Sequence, residues 1–310
     1  MFSANWNHDI DSKSRNQIEL LDNEVIACFN EGNAQKLTSL FSDTLKKIAG
    51  NSIQDLMNQI HPIIDTKNYE LLDEYLINNS QVGGTSTIFK GMSEDNDYKI
   101  NYSILTKETY ISLIIYKRQN REFLFTCIYG KYGNTWELNT IRFGPYKIFE
   151  KNSIDFYKQS KIDFANGDLI DAGININLAQ QTSLPANNAF VYFKLSEMME
   201  FNRKLAGEAK MKIAFPLKIN ALNTSPQIFG VEPIVTTEGV FPLIKYLTTI
   251  QLADIVDLKA ENDQIKKEIV KVFPGIDKNN KYVFLKAYNK IPDGKTAVPT
   301  YGFMLKKGGN

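Results

Sequence analysis

The sequence predicts an α+β fold. Helices pack on an antiparallel sheet, a helical hairpin follows, and a second, smaller antiparallel α+β domain with one long helix ends the chain. Two observations predict this order. Apolar residues recur at helical spacing ahead of Gly83-Gly84, after which short segments alternate apolar and polar residues between turn signals. Helical spacing returns near residue 152, and alternation resumes near Lys210.

The composition is that of an ordinary globular protein. Of the 310 residues, 43% are hydrophobic, 12% aromatic and 23% charged, which supplies core material for roughly two domains. Lys and Arg number 36, against 35 Asp and Glu. Nucleic-acid binders concentrate positive charge to replace the counterions around phosphates, so this balance predicts no nucleic-acid partner.

The first domain is predicted at residues 15–150, behind a mobile arm at residues 1–14. Three helices open the domain, and they end at Gly32, Gly50 and Pro62, which are residues that stop helices. The apolar stripes of the first two helices are Ile18, Leu21, Val25 and Phe29, then Leu37, Leu40, Phe41, Leu45 and Ile48.

Strand alternation dominates the rest of the first domain. Residues 69–77 fit either a helix or an edge strand, because their composition suits the first and their alternation the second. Short connections between the later segments indicate hairpins, hence an antiparallel sheet with the helices packed across one face. The predicted strands are Thr85–Lys90, Tyr98–Leu105, Thr109–Lys117, Glu122–Tyr129 and Thr135–Phe143.

Two short stretches of this domain carry a resemblance. Phe29-Asn30-Glu31-Gly32-Asn33 joins two amphipathic helices, and Leu40-Phe41-Ser42 lies in the second. Over residues 15–150 the arrangement resembles the cone-shaped superfamily of nuclear transport factor and steroid isomerase, in particular its bacterial branch fused to other modules. The resemblance implies a curved, cone-like sheet around a pocket. Enzymatic members place acidic and histidine residues inside that cone, and no such dyad is matched in this sequence.

Residues 151–207 are predicted to form a helical hairpin and one more helix. Gly167-Asp168, Ala172, Ala179 and Pro185 resemble the turn, small-residue and terminal-proline positions of a single tetratricopeptide-like repeat over residues 152–185. The small alanines would let two helices approach closely. One hairpin cannot form a solenoid, because neighbouring repeats are needed to cover its apolar faces, so it is expected to act as a bridge or docking platform.

Residues 208–310 are predicted to form the second α+β domain. A long helix is expected over Ala253–Phe273, ended by Pro274-Gly275. The predicted strands are Lys210–Leu222, Gln227–Thr236, Phe241–Thr249, Tyr282–Tyr288 and Thr300–Leu305.

The search for catalytic and cofactor-binding patterns returns little. The chain has two histidines, His8 and His61, and neither is placed to act as the fixed base of a nucleophilic site. Cys28 and Cys127 lie in a helical and a strand pattern, which predicts two small buried thiols and no disulfide or metal site. No glycine-rich phosphate loop is present. The sequence therefore predicts no cofactor and no metal.

The candidate binding residues lie in the first sheet. If their strand faces line a cone, Tyr116, Tyr129, Trp136 and Arg142 would form an aromatic cavity with a cationic group, suited to an organic acid. The alternative is that these aromatic residues form the ordinary core beneath the helices. A shift of one residue in register would reverse every assignment.

A non-enzymatic binding or protein-interaction module is therefore the leading hypothesis. Its partner would be a small apolar or acidic ligand, or another protein. One alternative is a cone-fold hydrolase or isomerase acting on a small organic substrate, which needs a buried, pKa-shifted carboxyl beside the tyrosines. The other alternative is a structural assembly unit.

The sequence also bears on location. No stretch approaches the roughly 20 apolar residues that span a bilayer. The N-terminus lacks a signal peptide's apolar core. A cytoplasmic location is expected for the sequence as it stands, or a secreted or envelope location if a leader was removed.

Overall fold

The structure is a computed structural model that describes residues 3–50, 52–64 and 69–306. The chain divides into two compact units. Unit 1 comprises Met1–Asn152 and Gln181–Leu195, and unit 2 comprises Ser153–Gln180 and Ser196–Asn310. Both units mix helices with sheets, which confirms the predicted α+β class.

The elements up to residue 192 are listed here in chain order. They are β1 (Ser3–Trp6), α1 (Ser12–Glu31), α2 (Ala34–Ser39), α3 (Asp43–Ala49), α4 (Ser52–Ile60), β2 (Tyr69–Asn78), β3 (Thr85–Lys90), β4 (Tyr98–Ser103), β5 (Glu108–Arg118), β6 (Arg121–Tyr132), β7 (Thr135–Ile148), α5 (Ser153–Asn166), α6 (Leu169–Gln181), β8 (Pro185–Asn188) and β9 (Phe190–Tyr192).

The remaining elements belong to unit 2, apart from the first residue of α7. They are α7 (Leu195–Lys212), β10 (Leu217–Lys218), β11 (Gln227–Val235), β12 (Val240–Leu247), α8 (Ile255–Val272), α9 (Ile276–Asn279), β13 (Tyr282–Tyr288) and β14 (Thr300–Lys306).

Unit 1 has three layers. Its main sheet runs β1-β2-β5-β6-β7, and neighbouring strands are antiparallel. Helices α1 to α4 cover one face and share a single hydrophobic core with it, as the sequence predicted. A smaller sheet, β3-β4-β9, is hydrogen-bonded to the other face through the hydroxyls of Tyr98 and Tyr102, which donate to Asp73 and Asn79.

The predicted mobile arm is ordered from Ser3 onward, whereas residues 1–2 lie outside the described residues. β1 pairs antiparallel with β2, so the arm gains backbone hydrogen bonds that the sequence pattern alone did not reveal. Asp11 then caps α1, since its carboxylate accepts a hydrogen bond from the Ser14 backbone N–H at 2.9 Å. Residues 69–77, ambiguous in the sequence, belong to strand β2.

The predicted second helix is split into α2 and α3. Between them, the backbone of Leu40 and Ser42 bonds to that of Leu138 in β7, with N···O distances of 2.8 and 2.9 Å. Ser42 also caps α3 by accepting a hydrogen bond from the Leu45 N–H. These contacts with the sheet replace the helical hydrogen bonds, so the helix cannot continue.

In unit 2, α5 and α6 form the predicted hairpin. The Ser160 and Ser153 hydroxyls donate to the backbone carbonyls of Ala172 and Ala179, at 2.6 and 2.8 Å. Both alanines are fully buried. Small side chains at these positions therefore do bring the two helices into close contact. Gly167, at φ +87°, adopts the left-handed conformation that the turn requires.

Part of the stretch predicted as helical at 151–207 forms strands. β8 and β9 belong to unit 1, and β9 pairs with β4. They are three or four residues long, so they depend on their partner strand more than on local propensity. Helix α7 also extends to Lys212, and the strand predicted at Lys210–Leu222 is reduced to the two residues of β10.

The unit 2 sheet runs β10-β11-β12-β13-β14, with α8 packed on one face in a shared core. Antiparallel pairing was predicted throughout this domain, but β12 and β13 are parallel. The reason is the connection between them, because α8 carries the chain back across the sheet to the end at which β12 began. Among the described residues, no helix is both long and apolar enough to cross a membrane.

Candidate functional site

Unit 1 contains an open cleft between α1 and β2, with a volume of about 340 Å³. Two buried carboxyl groups, those of Asp22 and Glu74, lie at its base, and its walls carry both polar and apolar side chains. The side chains that line it are Arg15, Glu19, Asp22 and Asn23 from α1, Tyr69, Glu70, Leu71 and Glu74 from β2, and Ile114 from β5.

Helix α1 places Asp22 at the base of this cleft. Ile18, Val25 and Phe29 are buried in the core, and Asp22 lies on the same stripe, one helical turn after Ile18. The helix ends in a left-handed Gly32, whose N–H bonds back to the last turn. A well-capped helix with one carboxyl on its apolar face therefore turns that carboxyl towards the sheet.

Asp22 is bound from the sheet by a phenol. The Tyr129 hydroxyl of β6 donates a hydrogen bond to Asp22 Oδ1 at 2.6 Å, and both residues are buried. The Ser112 hydroxyl is buried as well and makes no hydrogen bond of ordinary geometry with a described residue. Asp22 Oδ2 accepts no hydrogen bond of ordinary geometry from the described part of the chain, and 8% of the residue is exposed.

The pKa of Asp22 is raised from 3.8 to about 7. Burial is the largest cause, because the charged carboxylate loses its hydration. The hydroxyls of Tyr129 and Ser112 act in the opposite direction, and the nearby charges of Glu74 and Glu19 raise the pKa further. The Asp22 carboxyl therefore changes between its protonated and ionised forms near neutral pH.

Strand β2 supplies the facing carboxylate, Glu74. Arg15 Nε of α1 pairs with Glu74 Oε1 at 2.7 Å, and the Tyr110 hydroxyl of β5 donates to Glu74 Oε2. The Arg15 guanidinium also donates to the backbone carbonyl of Asn7. The Glu74 side chain is 7% exposed and that of Arg15 is 32% exposed, so the carboxylate of this pair is nearly removed from water while the guanidinium still reaches it.

Of the four predicted binding residues, Tyr129 contacts the cleft's base through Asp22. Trp136 is buried, packs edge-on against Tyr110 with ring centroids 6.0 Å apart, and donates from Nε1 to Gln17 Oε1 at 3.2 Å. Tyr116 is buried near the far end of β5, where its hydroxyl donates to the Ile63 carbonyl at 3.0 Å. These aromatic residues belong to the core, as the alternative interpretation held.

Arg142 does not share a face with Trp136, contrary to the predicted alternation. A β-bulge interrupts the β6–β7 pairing, where Ile128 faces Thr140 and the next residue, Tyr129, faces Leu138. The extra residue, Asn139, reverses which face the following side chains occupy. Arg142 is therefore exposed, and its guanidinium donates to the neighbouring Ile141 carbonyl at 2.9 Å.

The sequence analysis missed Asp22, Glu74 and Arg15. The signal for Asp22 was present, because a charged residue interrupts an otherwise apolar helical stripe. Glu74 gave a weaker signal, since its segment fitted a helix and a strand equally well. Arg15 is the first residue of the predicted first domain and gave no signal of its own, because its role depends on the fold that brings β2 to α1.

The remaining reactive side chains do not line the cleft, although Cys127 lies close enough to Asp22 for their charges to interact. Cys28 and Cys127 are both free and buried, as predicted. His61 Nδ1 lies 3.0 Å from the Phe29 carbonyl oxygen. Among residues 3–50, 52–64 and 69–306, no group of three or more His, Cys, Asp or Glu side chains is placed to hold a metal.

The chemistry open to the cleft follows from these groups. A carboxyl that titrates near pH 7 can accept a hydrogen bond when ionised and donate one when protonated. It can also take a proton from a bound molecule and return it. On the β2 side of the cleft, Glu74 is held in place by its ion pair with Arg15 and by the hydrogen bond from Tyr110.

Comparison with known proteins adds one partial similarity. The chain matches no protein-family model and no curated protein. A crystal structure of a proposed Ca/calmodulin-dependent kinase II association domain from Exiguobacterium sibiricum 255-15 is similar at 14% sequence identity and a TM-score of 0.20. The similarity covers 44% of this chain and 97% of that one. A TM-score at this level does not establish a common fold.

Proposed function

We propose that unit 1 is a small-molecule-binding module and that the α1–β2 cleft is its binding site. The observation that carries this proposal is Asp22, a buried carboxyl at the base of an open cleft with one oxygen free of partners among the described residues. The cleft's volume of about 340 Å³ suits a small organic molecule.

The energetics of Asp22 support a binding role. Burying a carboxyl without a cationic partner destabilises the fold, and an apolar residue would fill the same place on the α1 stripe at lower cost. Groups whose pKa is shifted by burial cluster at functional sites. A ligand that meets Asp22 Oδ2 would supply the hydrogen bond that the chain does not.

A thermal-shift screen of the whole protein against a metabolite library tests the proposal. A ligand present at about 100 times its Kd should stabilise the fold by roughly 2.7 kcal/mol. Leu71→Trp, at a half-exposed wall position, should narrow the cleft and abolish the shift. Leu20→Trp, at an exposed position of α1 outside the cleft, is the matched control. Equal loss with both variants, or no shift with any compound, would count against the proposal.

Proton transfer is the second candidate function, as in a cone-fold isomerase or hydrolase. It is favoured by one observation, the Asp22 pKa of about 7 beside the Tyr129 hydroxyl. A base with such a pKa is suited to accept a proton at neutral pH. Library hits that carry an acidic C–H bond should then exchange that hydrogen in D₂O, and Asp22→Asn should abolish the exchange. Unchanged exchange in that variant would exclude Asp22 as the base.

A further inference from the structure

We infer that the ligand of the cleft is a compact amine cation carrying one ring-sized apolar group, with Asp22 Oδ2 accepting the ammonium hydrogen bond and Leu71 and Ile114 contacting the ring. This inference rests on the proposed function and specifies its ligand class. From the sequence, an acidic ligand was expected if Arg142 lined a cone, whereas the ligand inferred here is a cation.

The positive charge in the cleft is already neutralised. Arg15 pairs with Glu74 at 2.7 Å and donates to the Asn7 carbonyl, so its charge is matched by a buried carboxylate and two of its five N–H groups are occupied. An anionic ligand would have to share the guanidinium with Glu74 and would meet the repulsion of that carboxylate, and displacing Glu74 would leave it buried without a cation. Arg15 is therefore a structural partner of β2 and not a receptor for an acid.

The negative charge in the cleft is not neutralised to the same extent. Glu70 pairs with Lys117 at 2.8 Å, across the sheet surface. Glu19 makes no ion pair with a described residue, and Asp22 receives one hydrogen bond of ordinary geometry within the described chain, from Tyr129, beside the weaker influence of the Ser112 hydroxyl. Among the described residues, two carboxyl groups on one helix face therefore have no cationic partner, at the base and at the rim of the same cleft.

The apolar lining limits the rest of the ligand. Leu71 is half-exposed on the β2 wall, and the buried Ile114 lies beside it as its cross-strand partner on β5. These side chains offer contact area to a small ring, and about 340 Å³ leaves room for little more than that ring and its amine substituent. A larger polycation would extend beyond the cleft into solvent.

Binding of such a cation should release a proton from Asp22 below neutral pH, because the ammonium stabilises the ionised carboxylate. Affinity should therefore rise as the pH increases from 5 to 8, where the amine itself stays protonated. The titratable and charged groups that face Asp22 are Arg15 and Glu19 on α1, Glu74 on β2, Tyr110 on β5, and Cys127 and Tyr129 on β6.

Three probes of one size and different charge test the inference: benzylamine, benzyl alcohol and benzoate. Binding to the full-length protein is followed by NMR chemical shifts of residues lining the cleft. Benzylamine should bind at least about tenfold more tightly than the other two. Asp22→Asn and the exposed Glu19→Gln should each weaken benzylamine binding, whereas Asp43→Asn, at a side chain 91% exposed and outside the cleft, should not.

The outcomes separate the ligand class from the binding function. Equal or tighter binding of the alcohol or benzoate in the cleft would overturn the amine inference and leave a binding cleft in place. Failure of benzylamine to bind would also overturn it, while library hits blocked by Leu71→Trp would still support the proposed function. Benzylamine binding that neither acidic-residue variant weakens would likewise overturn the role given to Asp22 and Glu19.

Discussion

Asp73 and Glu74 are adjacent in β2, and their carboxylates are buried on opposite faces of the main sheet of unit 1. Asp73 accepts a hydrogen bond from the Tyr98 hydroxyl at 2.6 Å and pairs with Lys90, on the side of the smaller sheet. Glu74 faces α1, where Arg15 binds it. Alternation along the strand produces this division, so one dipeptide ties the sheet to both neighbouring layers.

The Glu74 side of this arrangement gives the first prediction. Arg15→Gln should destabilise the protein by about 2–3 kcal/mol, because it leaves Glu74 buried without its cation. Urea denaturation measures the change. Lys117→Gln removes the partner of Glu70 on the same strand, but that pair is about half-exposed at both ends, and its loss should cost less than about 1 kcal/mol. Equal costs for the two variants would contradict the burial argument.

The second prediction concerns stability against pH. The folded-state pKa of Asp22, about 7, lies above its unfolded value of 3.8. Between these values the folded state holds a proton that the unfolded state has released. The stabilisation that Asp22 contributes is therefore fully present below about pH 4 and is lost as the pH rises through 7. The loss is at most about 4 kcal/mol.

Asp22→Asn removes this titration. Relative to the wild type, its free energy of unfolding should therefore rise between pH 4 and pH 8, as followed by chemical denaturation at several pH values. Asp43→Asn, at an exposed side chain, should show no such trend. A constant difference between the wild type and Asp22→Asn across this range would show that Asp22 does not titrate as proposed.

The third prediction isolates the phenol that binds Asp22. Tyr129→Phe removes a donor to the carboxylate, so the pKa of Asp22 should rise above about 7 and the fold should lose about 2 kcal/mol at pH 8. NMR titration and urea denaturation measure the two effects. Tyr132→Phe, on the same strand, removes a hydrogen bond to Asn139 and should leave the Asp22 titration unchanged.

The fourth prediction contrasts two glycines. At Gly144 of β7, a Cβ would overlap the carbonyl oxygen of Pro185 and lie 3.0 Å from its carbonyl carbon, so Gly144→Ala should destabilise by about 2–3 kcal/mol. At the exposed Gly207 of α7, a Cβ meets no described atom within 4 Å, and Gly207→Ala should stabilise by up to about 1 kcal/mol. In thermal denaturation, the melting temperature should fall for Gly144→Ala and rise for Gly207→Ala.

Local patterns predicted much of the fold. The bounds of β3 and β13 coincide with the predicted Thr85–Lys90 and Tyr282–Tyr288. Alternation and flanking turn residues predict such strands well, because both signals depend only on residues a few positions apart in the sequence. The helices of unit 1 were found for the same reason. Elements that depend on a distant partner were missed, such as β1 against β2 and β9 against β4.

The candidate site was predicted only in part, for a related physical reason. Alternation left open which strand faces point inward, and the structure turns Tyr129 towards α1. Alternation also put Trp136 and Arg142 on one face, but the bulge at Asn139 lies between them and places them on opposite faces. Asp22 interrupts the apolar stripe of α1, which is a local signal that was overlooked. Its hydrogen bond with Tyr129 could not be predicted locally, because it depends on β6 lying beneath α1.

The division of the chain into units has a consequence for its synthesis. Unit 1 is discontinuous, because residues 181–195 return to it after α5 and most of α6 have been built into unit 2. A ribosome that has released residues 1–152 has therefore not yet supplied β8 or β9. The Gly144 backbone then lacks Pro185 against it, and Tyr98 lacks the Phe190 ring that stacks on it with centroids 4.3 Å apart. The nascent N-terminal half must wait for some forty further residues before its smaller sheet can close.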